Sequence, residues 1–399
     1  MMKRLTGFVA LLLTLPALGW NGEDPAELAE AIAERHIIVD THIDVPYRLQ
    51  SDWEDVTRET RTGDFDLPRA RRGGLDIPFM SIYTPAEMEA EGGGFQLANR
   101  LIDSVEALAA RAPDRLVVAR SLMEAENAVR HGRMALAMGM ENGSPVEGKL
   151  ENLRHFRDRG ISYITLAHSL SNQLADSSYD ENRQWHGLSE FGKEVVREMN
   201  RLGIMVDVSH LSDEAFFQVL ETSAVPVIAS HSSARHFTPG FERNMSDEMI
   251  VALARHGGVM QINFGSAFLT QEANQWSEVF WDLREKYAEE QGVDEDSEEV
   301  RAFSAQYRAE HPFPYATLDD VLDHFDHVVK LAGIDHVGIG SDFDGVGDSL
   351  PVGLKDVGDY PNLIAGLLGR GYSEADIAKI LNGNLLRVWR HAEAFATKR

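Results

Sequence analysis

The chain has 399 residues, no cysteine, and 38 basic against 64 acidic side chains, a net charge of −26. Without thiols there are no disulfides, thiolate metal sites or cysteine nucleophiles, so any metal site must be built from His, Asp and Glu. The acidic balance argues against a nucleic-acid partner, and the length suits either two or three ordinary domains or one large α/β barrel.

Residues 1–19 read as an export signal. Lys3 and Arg4 form a positive start, Leu5 to Leu18 an apolar stretch, and Ala17-Leu18-Gly19 a small-x-small cleavage site. The stretch is shorter than the roughly 20 apolar residues of a membrane span. Cleavage is therefore expected near Trp20, leaving residues 20–399 as a single exported domain, periplasmic or secreted. The polar end Phe395–Arg399 lacks the apolar tail of a glycolipid-anchor signal, so no stable membrane anchor is expected after cleavage.

Eight apolar, β-branched runs follow: Ile37–Val45, Leu75–Tyr83, Met134–Met140, Ile161–Ala167, Ile204–Val208, Val225–Ser230, Val259–Phe264 and Val337–Ser341. Helical patterns separate them at Leu97–Ala110, Phe191–Leu202, Asp247–Arg255 and Leu318–Leu331, with Ser246 before Asp247-Glu248 as an N-cap. Strands alternating with helices imply a parallel sheet, and eight of them favour a TIM-like (β/α)8 barrel over a doubly wound sheet. Before the last strand, about residues 270–314 form a long acidic insertion of helical composition at Val279–Glu290 and Glu298–Glu310. It reads equally as a lid over the barrel mouth or as a solvated excursion.

The chemistry sits at the ends of the runs. The first carries His42 and Asp44, which share a face at strand period two. Glu141, His168, His210, His231 and Asp342 end the third, fourth, fifth, sixth and eighth. In a (β/α)8 barrel these ends converge on one mouth. A lone histidine after an apolar run is an ordinary core or loop residue, and His-x-Asp alone is a weak motif. Four of the 15 histidines in barrel order beside three acids are different. The other eleven, His131, His155 and His324 among them, are expected at the surface. Seven polar groups in one pocket are costly to bury without a cation. Imidazole with carboxylate suits zinc, and also manganese, cobalt or iron. Five ligands with one bridging carboxylate fit two ions about 3.5–4 Å apart holding a hydroxide.

These residues resemble the membrane (renal) dipeptidases of the metal-dependent amidohydrolase superfamily, on its bacterial, exported side. The resemblance runs from about Ile37 to Trp389. It rests on Asp40-Thr-His-Ile-Asp44, Asp66-Leu-Pro-Arg69 with Gly73-Gly74, Gly139-Met-Glu-Asn-Gly143, Asp207-Val-Ser-His210, Ser230-His-Ser-Ser-Ala234, Arg243-Asn244 and Asp335–Gly345. It implies a zinc-dependent dipeptidase acting on free dipeptides through a metal-bridging hydroxide. His42 and Asp44 would hold one Zn2+, His210 and His231 the other, with Glu141 bridging. The resemblance makes His168 the group that stabilises the tetrahedral intermediate, Asp342 the proton carrier and Arg243 a contact to the dipeptide.

Animal members carry disulfides and a glycolipid anchor, so neither membrane attachment nor a covalent dimer is carried over; a non-covalent homodimer stays open. Two rival readings remain. Another amidohydrolase-type reaction (deaminase, lactonase or phosphoesterase) would use the same metals with other pocket walls. A catalytically inactive binding barrel would have lost a ligand or the last-strand aspartate, and none is lost.

Overall fold

The computed structural model describes residues 25–295 and 297–397, so the signal read at residues 1–19 lies outside the described residues. Nine strands follow one another: β1 (Ile38–Ile43), β2 (Leu75–Tyr83), β3 (Leu116–Val118), β4 (Met134–Glu141), β5 (Ile161–Thr165), β6 (Met205–Asp207), β7 (Ile228–Ser232), β8 (Val259–Ile262) and β9 (Val337–Ile339). Eight of them pair in parallel in the order β1-β2-β4-β5-β6-β7-β8-β9. The sheet closes where Ile43 bridges Phe343 in parallel, Asp342 N donates to His42 O (3.1 Å) and Asp44 N to Phe343 O (2.9 Å). This is the expected (β/α)8 barrel.

The eight expected runs all form its staves. Most are shorter than their apolar stretch, because the last residues leave the ladder to turn into the mouth. β3 was not expected. It has three residues, too few to show a period, and it pairs with the start of β4 outside the barrel.

Helices cover the outer face, so the staves are buried on both sides and read as continuous apolar runs. One core layer lies between barrel and helices; a second fills the barrel interior. Inside, an aromatic column climbs from the C-terminal helix Asn384–Ala396. Trp389 meets Phe79 (5.1 Å between centroids), Phe79 stacks on Tyr163 (5.6 Å), and the Tyr163 hydroxyl lies 2.8 Å from His42 Nδ1. Gly139 on β4 makes the column possible, since a Cβ there would come within 1.9 Å of the Tyr163 ring. The floor of the mouth is thus a packed core rather than a channel.

The expected helices stand at Gly94–Arg111, Glu190–Leu202, Asp247–Arg255 and Leu318–Ala332, and Ser246 caps the third by accepting from Met249 N. The insertion is a helical hairpin, Gln271–Gln291 and Glu298–Glu310, opening at the Thr270 N-cap. Trp276, Phe280, Tyr307 and Phe313 pack together within it. Arg308 and Tyr315 fasten its base to Asp348 in the loop after β9. Its ring contacts and ion pairs, among the described residues, reach no residue of the mouth.

His324 corrects an expectation. It is fully buried, not at the surface, because it faces inward from its helix and both ring nitrogens are satisfied. Nδ1 accepts from Ala234 N (2.9 Å), and Nε2 lies 3.0 Å from Leu269 O. Among the described residues no helix is long and apolar enough to cross a membrane.

Candidate metal centre and active site

The mouth gathers the residues read from the strand ends. Glu141 closes β4 and His231 lies within β7, one residue before its end. His168, His210 and Asp342 each stand three residues past their strand. Asn142, His210 and Asp342 have positive φ (77°, 69° and 66°). Asn, His and Asp tolerate this region better than most residues, at a cost of about 1–3 kcal/mol each. Such strain collects where a chain must re-aim side chains, and here it turns them into the mouth.

Glu141 is the hub. Its Oε2 lies 3.4 Å from His42 Nε2, whose other carboxylate neighbour, Asp44 Oδ2, is also at 3.4 Å. Its Oε1 lies 3.2 Å from His210 Nε2 and 3.2 Å from His231 Nε2. One carboxylate thus presents Oε2 to His42 and Oε1 to His210 and His231. His168 Nε2 is slightly farther, 3.5 Å from Oε1, and its side chain is the more exposed. Gly345 keeps the acids together, since a Cβ there would sit 2.3 Å from Asp44 Oδ2 and 2.4 Å from Asp342 Oδ1.

Hydrogen bonds fix two ring tautomers. The Tyr163 hydroxyl donates to Thr41 O (2.8 Å), so it accepts from His42 Nδ1–H. Asp207 accepts four hydrogen bonds, from Ser209 N, Ser230 N, Thr165 Oγ1 and Ser230 Oγ. Having given its hydrogen to Asp207, Ser230 Oγ accepts from His231 Nδ1–H at 2.7 Å. The neutral form of each ring therefore aims an Nε2 lone pair into the mouth. Tyr163, Ser230 and Asp207 were not singled out from the sequence as supports, though Gly139 and the Asp207-Val-Ser-His motif mark where they lie.

The donor set fits metal ions. His42 Nε2 is buried without a hydrogen-bond partner, and 3.4 Å to each carboxylate is too long for a charge-assisted bond. His210 Nε2 and His231 Nε2 face each other at 2.9 Å. His231 keeps its hydrogen on Nδ1, so its Nε2 lone pair is met there by a hydrogen on His210 Nε2 in the metal-free chain, and a cation can take that hydrogen's place. Burial lowers His231 and His210 well below the ordinary imidazole range, leaving them neutral as ligands must be. Burial would also lower His42, but the negative groups around it, Glu141 and Asp44 included, raise it well above that range in the metal-free chain. Burial would raise Glu141, but the surrounding histidines, His42 first, hold it well below the usual carboxylate range.

Asp342 lies over the His42 side, its Oδ1 4.0 Å from Nε2 and its Oδ2 accepting from Asn263 Nδ2 at 2.7 Å. Burial pushes its pKa up to about 7, with Asp44 and Glu141 adding to the rise. Burial lowers that of His168, whose Nδ1 is buried without a partner. Arg243 is 3% exposed and so is not a solvated loop arginine. Its Nη1 donates to Ser232 Oγ (2.9 Å), its Nη2 to His231 O (2.7 Å), and Phe268 lies under the guanidinium at 5.4 Å. Tyr83 packs edge-on against His168 (4.8 Å), and Tyr179 approaches His210 (6.0 Å).

A (β/α)8 barrel with His/Asp/Glu ligands converging at the C-terminal ends of its strands is the framework of a metal-dependent, amidohydrolase-type hydrolase. Residues 26–399 match the family described as membrane dipeptidase, peptidase family M19. The chain belongs to the membrane dipeptidase family and is a metallo-dipeptidase of that type.

Dipeptidase 3 of Mus musculus is 31% identical over 93% of this chain and 68% of its own length. An uncharacterised dipeptidase of Schizosaccharomyces pombe is 29% identical over 96% of this chain and 88% of its own. Among solved structures, the probable dipeptidase PvdM from Pseudomonas aeruginosa superposes with a TM-score of 0.80 at 29% identity, over 93% of this chain and 99% of that one. A Rhodobacter sphaeroides metallopeptidase liganded with a phosphinate mimic of L-Ala-D-Ala shares the fold, with a TM-score of 0.72 at 24% identity over 90% and 99%.

Proposed function

We propose that the protein hydrolyses the peptide bond of free dipeptides with two zinc ions, one on His42 and Asp44, the other on His210 and His231, and Glu141 shared. The observation that carries this reading is the two-sided Glu141 carboxylate, with Oε2 facing His42, itself beside Asp44, and Oε1 facing His210 and His231. Zinc bound in this cradle supplies Lewis acidity toward the scissile carbonyl and, by lowering the pKa of water to about 7, a hydroxide at neutral pH.

The chain's own groups do the rest. Asp342, with Oδ2 held by Asn263, uses Oδ1 to take the proton from the attacking water and return it to the leaving amine. Its raised pKa suits both directions of that transfer. His168 is neutral and offers one N–H to the oxyanion that develops on the carbonyl, the kind of donor that contributes about 2.7–4 kcal/mol. Arg243 spends two of its five N–H groups on Ser232 and His231, which leaves three to grip the dipeptide's carboxylate. A guanidinium held this rigidly fixes the carboxylate one residue from the scissile bond, which selects peptides whose C-terminal residue is free. The signal-like segment Lys3–Gly19 supports export to the periplasm or beyond.

The test is kcat/KM on a library of L,L and L,D dipeptides, with metal content measured on the same preparation. Turnover of dipeptides with two zincs per chain is expected. A metal-loaded enzyme that leaves every dipeptide intact but deaminates nucleosides or hydrolyses lactones or phosphotriesters would overturn the reading.

A further inference from the structure

Beyond the mouth, one other group of ligand-type side chains converges among the described residues, and the reaction makes no use of it. His236 stands in the turn Arg235–Phe237 after β7. Asp247 is the first residue of the helix Asp247–Arg255, and His327 lies on the helix Leu318–Ala332. His327 Nε2 is 2.7 Å from Asp247 Oδ1. The His236 and His327 rings stack at 4.4 Å and 18°. One ligand atom from each of the three lies within 4.8 Å of the other two.

A plain ion pair accounts for only part of this. It needs only His327 and Asp247, contributes little near a surface, and has no use for a second imidazole. The His236 ring has no hydrogen bond or ion pair among the described residues, yet it lies face to face with His327. Phe237 closes the pocket behind, against both His236 (4.9 Å) and His327 (5.6 Å). The His327 side chain is 11% exposed and Asp247 51%, so the group is fixed on its inner side and open to solvent on the outer.

We infer that His236, Asp247 and His327 form a third metal site, for one divalent ion of the zinc, cobalt or nickel class. Two imidazole nitrogens and one carboxylate oxygen are the donors such ions take. The set lacks the thiolate that favours copper(I) and the many oxygens that favour calcium or magnesium. Zinc lies about 2.0–2.1 Å from a ring nitrogen, which puts two tetrahedral ligands about 3.4 Å apart. The stacked rings hold their nitrogens side by side, so binding requires exposed His236 to turn about its side-chain bonds until a ring nitrogen faces the same point as His327 Nε2 and Asp247, with solvent filling the open positions.

The ion would act as a staple. The loop between β7 and the helix Asp247–Arg255 begins beside His231 and carries Arg243. His324, on the same helix as His327, already holds that loop by accepting from Ala234 N. A metal on His236, Asp247 and His327 adds a second tether and draws in the N-terminus of the helix that follows.

The full exported chain, loaded with its mouth metals, is dialysed against Zn2+ and its metal content counted beside His236→Ala and His327→Gln. Wild type should hold one more zinc per chain than either variant. Its Tm should rise on Zn2+ addition where theirs does not, and Co2+ should add a visible absorption band only in wild type. The count is read as a difference, so it is independent of what the mouth holds. His236→Ala removes an exposed side chain, and an unchanged Tm without added zinc verifies its fold. Equal zinc content in wild type and both variants overturns the site. So does a missing zinc that abolishes dipeptidase activity outright, since only loss of a mouth ion does that, whereas a loop released from its staple slows turnover through Arg243 without abolishing it.

Discussion

Tyr163→Phe tests how the barrel interior sets the metal site. The substitution removes one oxygen and leaves the ring packed on Phe79, so no cavity opens. It deletes two buried hydrogen bonds of 2.8 Å each, one from His42 Nδ1–H and one to Thr41 O. His42 is fully buried, so its Nδ1–H has no water to turn to. An unsatisfied buried donor costs about 1–3 kcal/mol. The imidazole can escape part of that cost by moving its proton to Nε2, which removes the lone pair a metal needs. Loss of a hydrogen bond behind a ligating histidine lowers metal affinity about 10–100-fold, or roughly 1.4–2.8 kcal/mol, in agreement with the first figure. The loss should fall on the ion held by His42 and Asp44 and spare the one on His210 and His231. Chelator competition followed by metal analysis reads this as two release steps, the first shifted and the second unmoved. If Tyr163→Phe releases both ions as wild type does, the hydroxyl does not set the His42 tautomer and the argument fails.

Glu141→Gln should lower zinc occupancy to one or none per chain, because in the proposed centre one carboxylate serves both ions; two tightly held zincs would disprove the sharing. Asp342→Asn should keep its metals but lose about 10²–10⁴-fold in kcat, and near-wild-type turnover would assign the proton to another group. The pH profile carries the sign. Asp342 works as a base only when ionised, so kcat/KM falls as pH drops through its pKa. That pKa is about 7 in the metal-free chain and lower with bound dications, which favour the carboxylate. In Asp342→Asn the part of the acid limb set by this carboxylate should be lost, leaving only that of the metal-lowered water. Arg243→Met should erase the preference for a free dipeptide over its C-terminal amide by slowing the acid. The expected loss is about 1.5–3 kcal/mol, or roughly 10–150-fold in kcat/KM. A preference that survives would locate the carboxylate's partner elsewhere.

The barrel and most of its mouth were legible in the chain for one physical reason. Staves buried on both faces must be continuous apolar runs, and such runs leave the polar residue that ends each one conspicuous. His42, Asp44, Glu141, His168, His210, His231 and Asp342 all stood out in that way, and the structure gathers them. Arg243 did not, because it lies in a loop with no period. Only the fold shows that it is buried beneath the mouth rather than solvated.

What remained hidden depends on which side chains meet across the barrel. Tyr163 reads as one more apolar stave residue until the closed sheet brings its hydroxyl to His42 from 121 positions away. Ser230 and Asp207 set the His231 tautomer only because β6 and β7 are neighbours. His324 resembles any other histidine in a helical stretch; the packing of that helix turns it inward onto Ala234 N and Leu269 O. The same limit applied to the insertion, whose composition announced helices but not their resting place. Residue type and spacing record how much a segment must bury, whereas tautomers, raised carboxyls and fixed guanidiniums arise from groups that are distant in the chain and meet only after folding.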